Sequence, residues 1–166
     1  MDTGFTAIAD SNAKVLILGS MPSVQSLQQQ QYYAHPRNAF WPIMARLFKF
    51  DLNLNYSTRC QKLQQHNIAV WDVLKACQRQ GSLDQNIDAN SMIVNDFNAF
   101  FQHHPSIQQL LFNGGKAENV FKQHVVRNLN KPFKSLSQAR LPSTSPAHAA
   151  QSLDEKYLIW QKALFQ

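Results

Sequence analysis

The segment KVLILG, residues 14–19, is a run of aliphatic and β-branched residues that ends in a glycine. A short apolar run of this kind predicts a buried strand, because nothing in it alternates between apolar and polar. The following residues, SMPSVQSL (20–27), place a serine ahead of a proline and predict a loop that enters a helix. A strand, a loop and a helix in this order form the repeating unit of an α/β fold.

The same alternation continues along the chain. Three further segments predict strands: IAVWDV (68–73), IQQLLFNGG (107–115) and FKSLSQARLPS (133–143). Amphipathic patterns predict helices over residues 38–50, 92–105, 116–126 and 153–165. A chain of 166 residues without an internal repeat suits one domain. We therefore predict a single domain over residues 1–166, with a three-layer α/β/α architecture around a central four-stranded, mainly parallel sheet.

The predicted topology places four loops at one edge of the sheet. In such folds ligands bind beyond the carboxyl ends of the strands. The loops that follow Leu18, Trp71, Asn113 and Leu141 should therefore surround one crevice. Their polar contents, GSMPS, WDV, NGGK and LPSTSPAH, have to be interpreted together.

The charge distribution favours a polyanionic partner. The formal net charge is +6. Six cations lie between residues 116 and 148 against one acid, Glu118, and these cations are Lys116, Lys122, Arg127, Lys131, Lys134 and Arg140. An ordinary basic face that aids solubility is the alternative to a phosphate-contacting surface.

Several function classes are disfavoured by composition. The apolar runs are far too short to cross a bilayer, so no membrane association is expected. The first ten residues have no basic region followed by an apolar run, which indicates a cytoplasmic protein with reduced thiols. Cys60 and Cys77 are too few for a four-cysteine zinc or iron–sulfur site, so we expect no metal and no cofactor.

The segment YYAHPRNAFW (32–41) mixes ring faces with polar side chains. A core segment would not carry His35, Arg37 and Asn38, and a solvent loop would not carry four aromatic residues. The mixture suits a surface that stacks on flat rings and also positions hydrogen-bonding groups. Nucleobases are flat rings with polar edges, and aromatic side chains are the usual platform for them.

Five motifs in order carry a resemblance to a known family: GSMPS, YYAHPRNAFW, IAVWDVL with GSLD, LFNGGKA and LPSTSPAH. Together they resemble the uracil-DNA glycosylase superfamily, and the branch most similar to them is the hypoxanthine-DNA, or deoxyinosine, glycosylases. The HPRNAFW run is also similar to a pattern of the mismatch-specific uracil glycosylases. The resemblance spans residues 14–150 and implies a monofunctional DNA glycosylase of base excision repair that acts on DNA containing a deaminated base. We expect a monomer, although the sequence does not fix the oligomeric state.

The resemblance also implies how the site works. Cleavage of an N-glycosidic bond passes through a cationic, oxocarbenium-like sugar and an anionic leaving base, and it needs a positioned water but no metal. Most of the superfamily carries an Asp or Asn two residues after the first-motif glycine, where this chain has Met21. Asn38 is therefore expected to position the water. Its alternative is a helix N-cap, and both roles can coexist.

Further site residues follow from the same motifs. The catalytic group is predicted to comprise Asn38, Ser145 and His148, and the base-binding group Gly19, Ser20, Met21, Phe40 and Asp72. Phe40 would stack on the extruded base, and Asp72 would accept a hydrogen bond from N1–H of hypoxanthine through its carboxylate, or contact the base through its backbone. Phosphate contacts are predicted for Ser23, Arg37, Gly115, Lys116, Ser143 and Thr144. Core packing for Phe40 and a turn or cap role for Asp72 are the alternatives.

Some alternatives stay open at this level. The preferred base can be hypoxanthine, uracil or xanthine, and Met21 leaves room for a non-catalytic nucleic-acid-binding module. A Ser/His hydrolase built on Ser145 and His148 is disfavoured, because no GxSxG elbow is present. The nucleotide has to be flipped out of the duplex. The residues after Pro146 are AHAAQ, so the sequence identifies no bulky wedge for the vacated gap.

Overall fold

The computed structural model describes residues 1–165. Its strands are β1 (Asp2–Thr3), β2 (Val15–Gly19), β3 (Ile68–Asp72), β4 (Leu74–Cys77), β5 (Ile93–Val94), β6 (Gln109–Asn113) and β7 (Ser137–Leu141). Its α-helices are α1 (Val24–Gln29), α2 (Phe40–Phe48), α3 (Tyr56–Gln65), α4 (Phe97–His103), α5 (Gly115–Val120) and α6 (Leu153–Leu164). A π-helical turn, Phe121–Val125, extends α5.

The central sheet has four parallel strands in the order β3-β2-β6-β7. This confirms the predicted α/β fold with a four-stranded sheet between helices. The KVLILG strand lies in the interior of the sheet, and Leu16, Ile17 and Leu18 are fully buried. An interior strand of a parallel sheet is covered on both faces, which explains its uninterrupted apolar run. Burial of each such side chain stabilises the fold by about 1.5–3 kcal/mol.

The side chains of β2 alternate between two apolar clusters on opposite faces of the sheet. Leu16 and Leu18 pack with Phe97, Phe101 and their neighbours. Ile17 packs instead with a cluster that includes Trp160, and the helices α2 and α6 contribute most of its large side chains. Both clusters hold the sheet rigid, so the loops at its carboxyl edge are fixed at their bases.

A second, three-stranded sheet was not predicted. Its order is β1-β4-β5, with antiparallel pairing. The helix predicted over 92–105 begins only at Phe97, because Ile93 and Val94 pair with β4 and Asp96 caps the helix by accepting from the Ala99 amide at 3.1 Å. The helix α3 was also not predicted, since Leu63 is its one buried residue.

Two structural facts bear on the expectations drawn from composition. No α-helix within residues 1–165 combines the length and the hydropathy that crossing a bilayer requires. Cys60 is partly buried and Cys77 is buried, and both are free thiols.

Candidate active site

A cavity of about 410 Å³ opens at the carboxyl edge of the parallel sheet. The ends of three strands line it through Gly19, Asp72 and Asn113, and the loop after β7 supplies residues 143–145. This is the edge at which ligands bind in open α/β sheets, and the volume lies within the range of small-molecule sites. The four predicted loops therefore do meet at one crevice.

Asn38 lies at this cavity, two residues before helix α2. Its Oδ1 atom accepts a hydrogen bond from the Phe40 amide at 2.9 Å. Only the oxygen of a side-chain amide accepts a hydrogen bond from an N–H group, so this bond orients the Asn38 side chain with Oδ1 toward the Phe40 amide. Ala39 is the N-cap residue of α2 and has no capping side chain, so the alternative that Asn38 is the N-cap is wrong; Asn38 lies one position earlier and accepts from the first helical amide. The second lone pair of Oδ1 is available to another donor, so this bond is compatible with the predicted role of Asn38 in positioning water.

The segment that carries Asn38 is tied to the loop after β7. The backbone N–H of Asn38 donates to the His35 carbonyl at 2.9 Å, and the backbone N–H of Ala39 donates to the Thr144 carbonyl at 2.9 Å. The first bond closes a turn within the segment, and the second fixes the segment to the loop whose Ser143 and Ser145 line the same cavity as Asn38. A rigid frame of this kind is what a water-positioning group needs.

Asp72 ends β3 and is 4% exposed, with its carboxyl group on the cavity. Within residues 1–165 its Oδ2 atom has no hydrogen-bond partner. The Tyr33 hydroxyl, another cavity-lining group, is likewise buried and without a partner in the described chain. Buried polar atoms normally have partners, so these two are available to hydrogen-bond a water or a ligand in the cavity.

The absence of a side chain at Gly19 creates the space for these two groups. A Cβ at this position would lie 2.5 Å from Asp72 Oδ1 and 3.0 Å from the Tyr33 hydroxyl oxygen. The carboxyl and the phenol therefore approach the same point above the end of β2. Gly19 thus contributes room rather than contacts.

Burial raises the pKa of the Asp72 carboxyl to about 7. Burial is the largest cause of this pKa value; the nearby Asp84 carboxylate contributes in the same direction, and the Arg79 guanidinium opposes both effects. The Tyr33 pKa is also raised by burial and by Asp72, so the phenol stays protonated at neutral pH. Asp72 consequently has a substantial neutral fraction near pH 7, in which one carboxyl oxygen donates and the other accepts.

The loop after β7 is anchored from below. Thr144 is 1% exposed, its hydroxyl accepts from Asn113 Nδ2 at 2.9 Å, and its amide donates to Asn113 Oδ1 at 2.9 Å. The buried Lys156 ammonium donates to the His148 carbonyl at 2.7 Å and to the Ser145 carbonyl at 3.5 Å. Burial lowers the pKa of Lys156. The predicted phosphate contact through the Thr144 side chain is therefore corrected: that hydroxyl braces the loop.

Ser145 and His148 both line the cavity but do not form a nucleophile–base pair in the described structure. The Ser145 hydroxyl accepts from the Ala147 amide at 3.2 Å, and the His148 ring faces Gln151 Oε1 at 3.3 Å. The hydrolase alternative needs a hydrogen bond from the serine hydroxyl to the imidazole. The observed partners argue against that alternative.

The expected stacking face on Phe40 is wrong. Phe40 is fully buried and, among residues 1–165, lies outside the cavity lining. Its ring stacks with that of Tyr33, with 4.2 Å between centroids and 30° between planes. Tyr32 and Tyr33 are the tyrosine rings in the cavity lining, and the core position of Trp41 is as predicted.

The remaining predicted residues divide into two groups. Ser20, Met21, Ser23, Gly115, Lys116 and Ser143 line the cavity, whereas the exposed Arg37 does not belong to its described lining. The Ser20 hydroxyl donates to Asp84 Oδ1 at 2.6 Å, and the Ser23 hydroxyl caps α1. Met21 is 7% exposed and packs into the apolar cluster behind the sheet.

Sequence reasoning missed several residues of this site: Tyr33, Asn113, Lys156 and the rim segment, which we define as residues 81–85. The quoted motifs YYAHPRNAFW, LFNGG and GSLD contained three of them. Their specific roles depend on long-range contacts. Lys156 gave no signal, because a lysine within an amphipathic helix is normally exposed.

The basic stretch beyond the cavity keeps several exposed cations. Glu118 contacts Lys122 at 3.3 Å and Arg140 at 3.8 Å. Arg127, Lys131 and Lys134 are exposed on the segment between α5 and β7. Across residues 1–165, no cluster of three or more His, Cys, Asp or Glu side chains has the arrangement of a metal site.

An α/β protein with a polar cavity at the carboxyl edge of its parallel sheet is the class that the fold and the motifs define. Comparison with known families identifies which family this is. Residues 5–164 match the Uracil DNA glycosylase superfamily, and the chain belongs to this family.

Two relatives and one solved structure give finer similarity. The chain is 37% identical over 115 residues to a protein of Methanosarcina barkeri (strain Fusaro / DSM 804) named "Hypoxanthine DNA glycosylase", covering 69% of this chain and 72% of that protein. It is 38% identical, over the same shares, to a protein of the same name from Methanosarcina acetivorans. The solution NMR structure of "a putative Uracil DNA glycosylase" from Methanosarcina acetivorans aligns with a TM-score of 0.77 at 29% identity, covering 99% and 98% of the two chains.

Proposed function

We propose that this protein is a monofunctional DNA glycosylase that removes a deaminated base, with hypoxanthine from deoxyinosine as the preferred substrate, and that it acts as a monomer in base excision repair. The family and the two relatives named for hypoxanthine support the activity. Those relatives favour hypoxanthine as the base, and the observation that carries the activity is the cavity itself, where the Asn38 side-chain amide and the Asp72 carboxyl line the same space.

The edge of hypoxanthine offers a donor at N1–H beside an acceptor at O6. A neutral carboxyl presents the complementary pair, because its carbonyl oxygen accepts and its hydroxyl donates. The leaving base becomes anionic as the glycosidic bond breaks, so a donated hydrogen bond at O6 stabilises that charge. A carboxylate beside the same base would repel it. A neutral Asp72 carboxyl therefore both recognises the base edge and stabilises the leaving base.

Asn38 supplies the other half of the reaction. With one lone pair engaged by the Phe40 amide, the Oδ1 atom is held in place and its second lone pair orients a water toward the anomeric carbon. A strong base is unnecessary, because the sugar is already cationic at the transition state. The water attacks the anomeric carbon, its proton passes to solvent, and the bond electrons leave with the base.

The DNA strand is held by polar residues that line the cavity and by the basic stretch. Lys116 and Ser143 stand at the cavity, and the exposed cations between α5 and β7 provide attraction to phosphates. The test of the function is a panel of otherwise identical oligonucleotides with one inosine, uracil or xanthosine, followed by alkaline cleavage. Strand cleavage at inosine above the other bases is expected. The absence of cleavage for every base at enzyme excess would leave only a binding module.

Gly19→Ala should lower base release by about 100-fold, because the new methyl group would displace the Asp72 carboxyl and the Tyr33 hydroxyl, and a misplacement of about 1 Å costs this much. The free energy of unfolding should fall by about 1–3 kcal/mol. Single-turnover rates and thermal melts measure the two effects. An active variant with an unchanged melting temperature would show that the carboxyl and the phenol do not act at this point.

A further inference from the structure

The rim segment holds an exposed leucine at the mouth of the cavity. Leu83 is 44% exposed and belongs to the cavity lining. Of the large apolar side chains exposed within residues 1–165, it is the one that lines this cavity. An isolated exposed leucine is ordinary on a protein surface, but one placed at the entrance of a polar cavity faces whatever enters it.

The backbone around Leu83 is held in place rather than free. The Ser82 hydroxyl accepts from the Val24 amide at 2.9 Å, and Asp84 Oδ1 accepts from the Ser20 hydroxyl at 2.6 Å. These bonds attach the residues on both sides of Leu83 to the first-motif loop and to α1. Gly81 has φ of +71°, a value that favours glycine, and it turns the chain into this position.

The base of the same loop is closed by backbone pairing. Arg79 and Ile87 form an antiparallel bridge, and the Asp88 amide donates to the Gln78 carbonyl at 2.9 Å. Leu83 therefore stands at the tip of a braced hairpin-like projection. A side chain presented on a rigid support loses little conformational entropy when it enters a confined space.

The loop after β7 offers no comparable group to the cavity. Its lining residues are Ser143, Thr144, Ser145, Ala147 and His148, and Ala147 carries the one apolar side chain among them. Extrusion of a nucleotide leaves an unstacked gap in the duplex, and proteins that distort DNA fill such gaps with apolar wedges that include leucine.

We infer that Leu83 is the wedge that enters the duplex and occupies the space vacated by the flipped nucleotide, so that the loop between β4 and β5 performs the extrusion. The inference rests on the proposed function. It assigns to Leu83 a positioning role that matters only when the target base is stacked and paired. In single-stranded DNA no gap has to be filled, and Leu83 has nothing to contribute.

The test compares Leu83→Ala with wild type on one inosine-containing strand, presented alone and annealed to a complement with cytosine opposite inosine. Single-turnover base release from the duplex should fall by about 10- to 100-fold, whereas release from the single strand should stay within about twofold. Leu83→Met should restore most of the duplex rate, because it keeps a long apolar side chain.

A matched control is Leu158→Ala, which makes the same change at a side chain 60% exposed on α6. It should leave both rates unchanged, and thermal melts of all variants check folding. An equal fall on both substrates would overturn the inference and make Leu83 a wall of the base pocket. An unchanged duplex rate would also overturn it. Inactive wild type on both strands would instead refute the proposed function.

Discussion

Asn38→Ala should lower the rate of base release by about 100- to 1,000-fold, the loss typical of removing one positioned polar group from a transition state. The methyl side chain cannot hold the attacking water beneath the sugar. DNA binding should stay within about threefold of wild type, because affinity depends on the cations of the basic stretch and the uncharged Asn38 side chain adds no such attraction. Single-turnover kinetics on an inosine duplex and a binding titration with the same duplex measure the two quantities.

The structural role of Asn38 sets the control. Loss of the Oδ1 bond to the Phe40 amide should cost about 1 kcal/mol of unfolding free energy, or about 2–4 °C in melting temperature. Asn38→Asp keeps an oxygen that accepts from the Phe40 amide and that orients water, so its rate should exceed that of the alanine variant. If Asn38→Ala loses binding and activity together, with a much larger drop in melting temperature, then Asn38 acts by holding the fold.

The parallel sheet was predictable because its information is local. A strand that is covered on both faces is apolar over its length, so the apolar runs VLIL in KVLILG and LLF in IQQLLFNGG indicate buried strands. The alternation of strands and helices then places the loops that follow the strands at one edge of the sheet, which is why the position of the cavity was predictable from the sequence. Helix α2 was predicted for the same reason, since it carries a clear apolar stripe, and α6 was predicted from its apolar residues although it buries Lys156 and exposes Leu158.

The elements that escaped prediction owe their existence to distant partners. The strands β1 and β5 have two residues each and form only by pairing with β4. Two residues cannot show a period. The helix α3 carries polar residues over most of its surface, and its one start signal is Asn55, whose side chain accepts from the Thr58 amide at 2.8 Å.

The site divides along the same line. Motif order located Asn38 and Asp72, which remain proposals as catalytic and base-reading groups, and the structure brings both to the cavity. Composition could not show that Tyr33 and not Phe40 lines the cavity, because both residues are aromatic and belong to the same segment. Tyr33 has φ of +55°, a left-handed conformation uncommon outside glycine, and such a turn redirects the side chain.

The buried carboxyl at the end of β3 provides the second large effect. Asp72→Ala should reduce hypoxanthine release by about 100-fold or more, because a base whose N1–H and O6 lose their partners is bound and activated poorly. Asp72→Asn keeps one donor and one acceptor at the same positions and should retain most of the wild-type rate. The alanine variant leaves the Tyr33 hydroxyl and Asn38 in place, so it isolates the contribution of the carboxyl.

The pH dependence distinguishes the two protonation states of Asp72. With a pKa raised to about 7, the group is neutral below that pH and ionised above it. If the neutral acid is the working form, wild-type release of hypoxanthine is high at pH 6 and declines as the pH rises through about 7, whereas Asp72→Asn, which does not titrate, shows no such decline. Binding of hypoxanthine changes this midpoint, because a neutral partner at O6 favours the protonated carboxyl. A wild-type rate that rises through the same interval, together with an inactive Asp72→Asn, would mean that the carboxylate is the acceptor for N1–H and that the hydrogen bond at O6 comes from elsewhere.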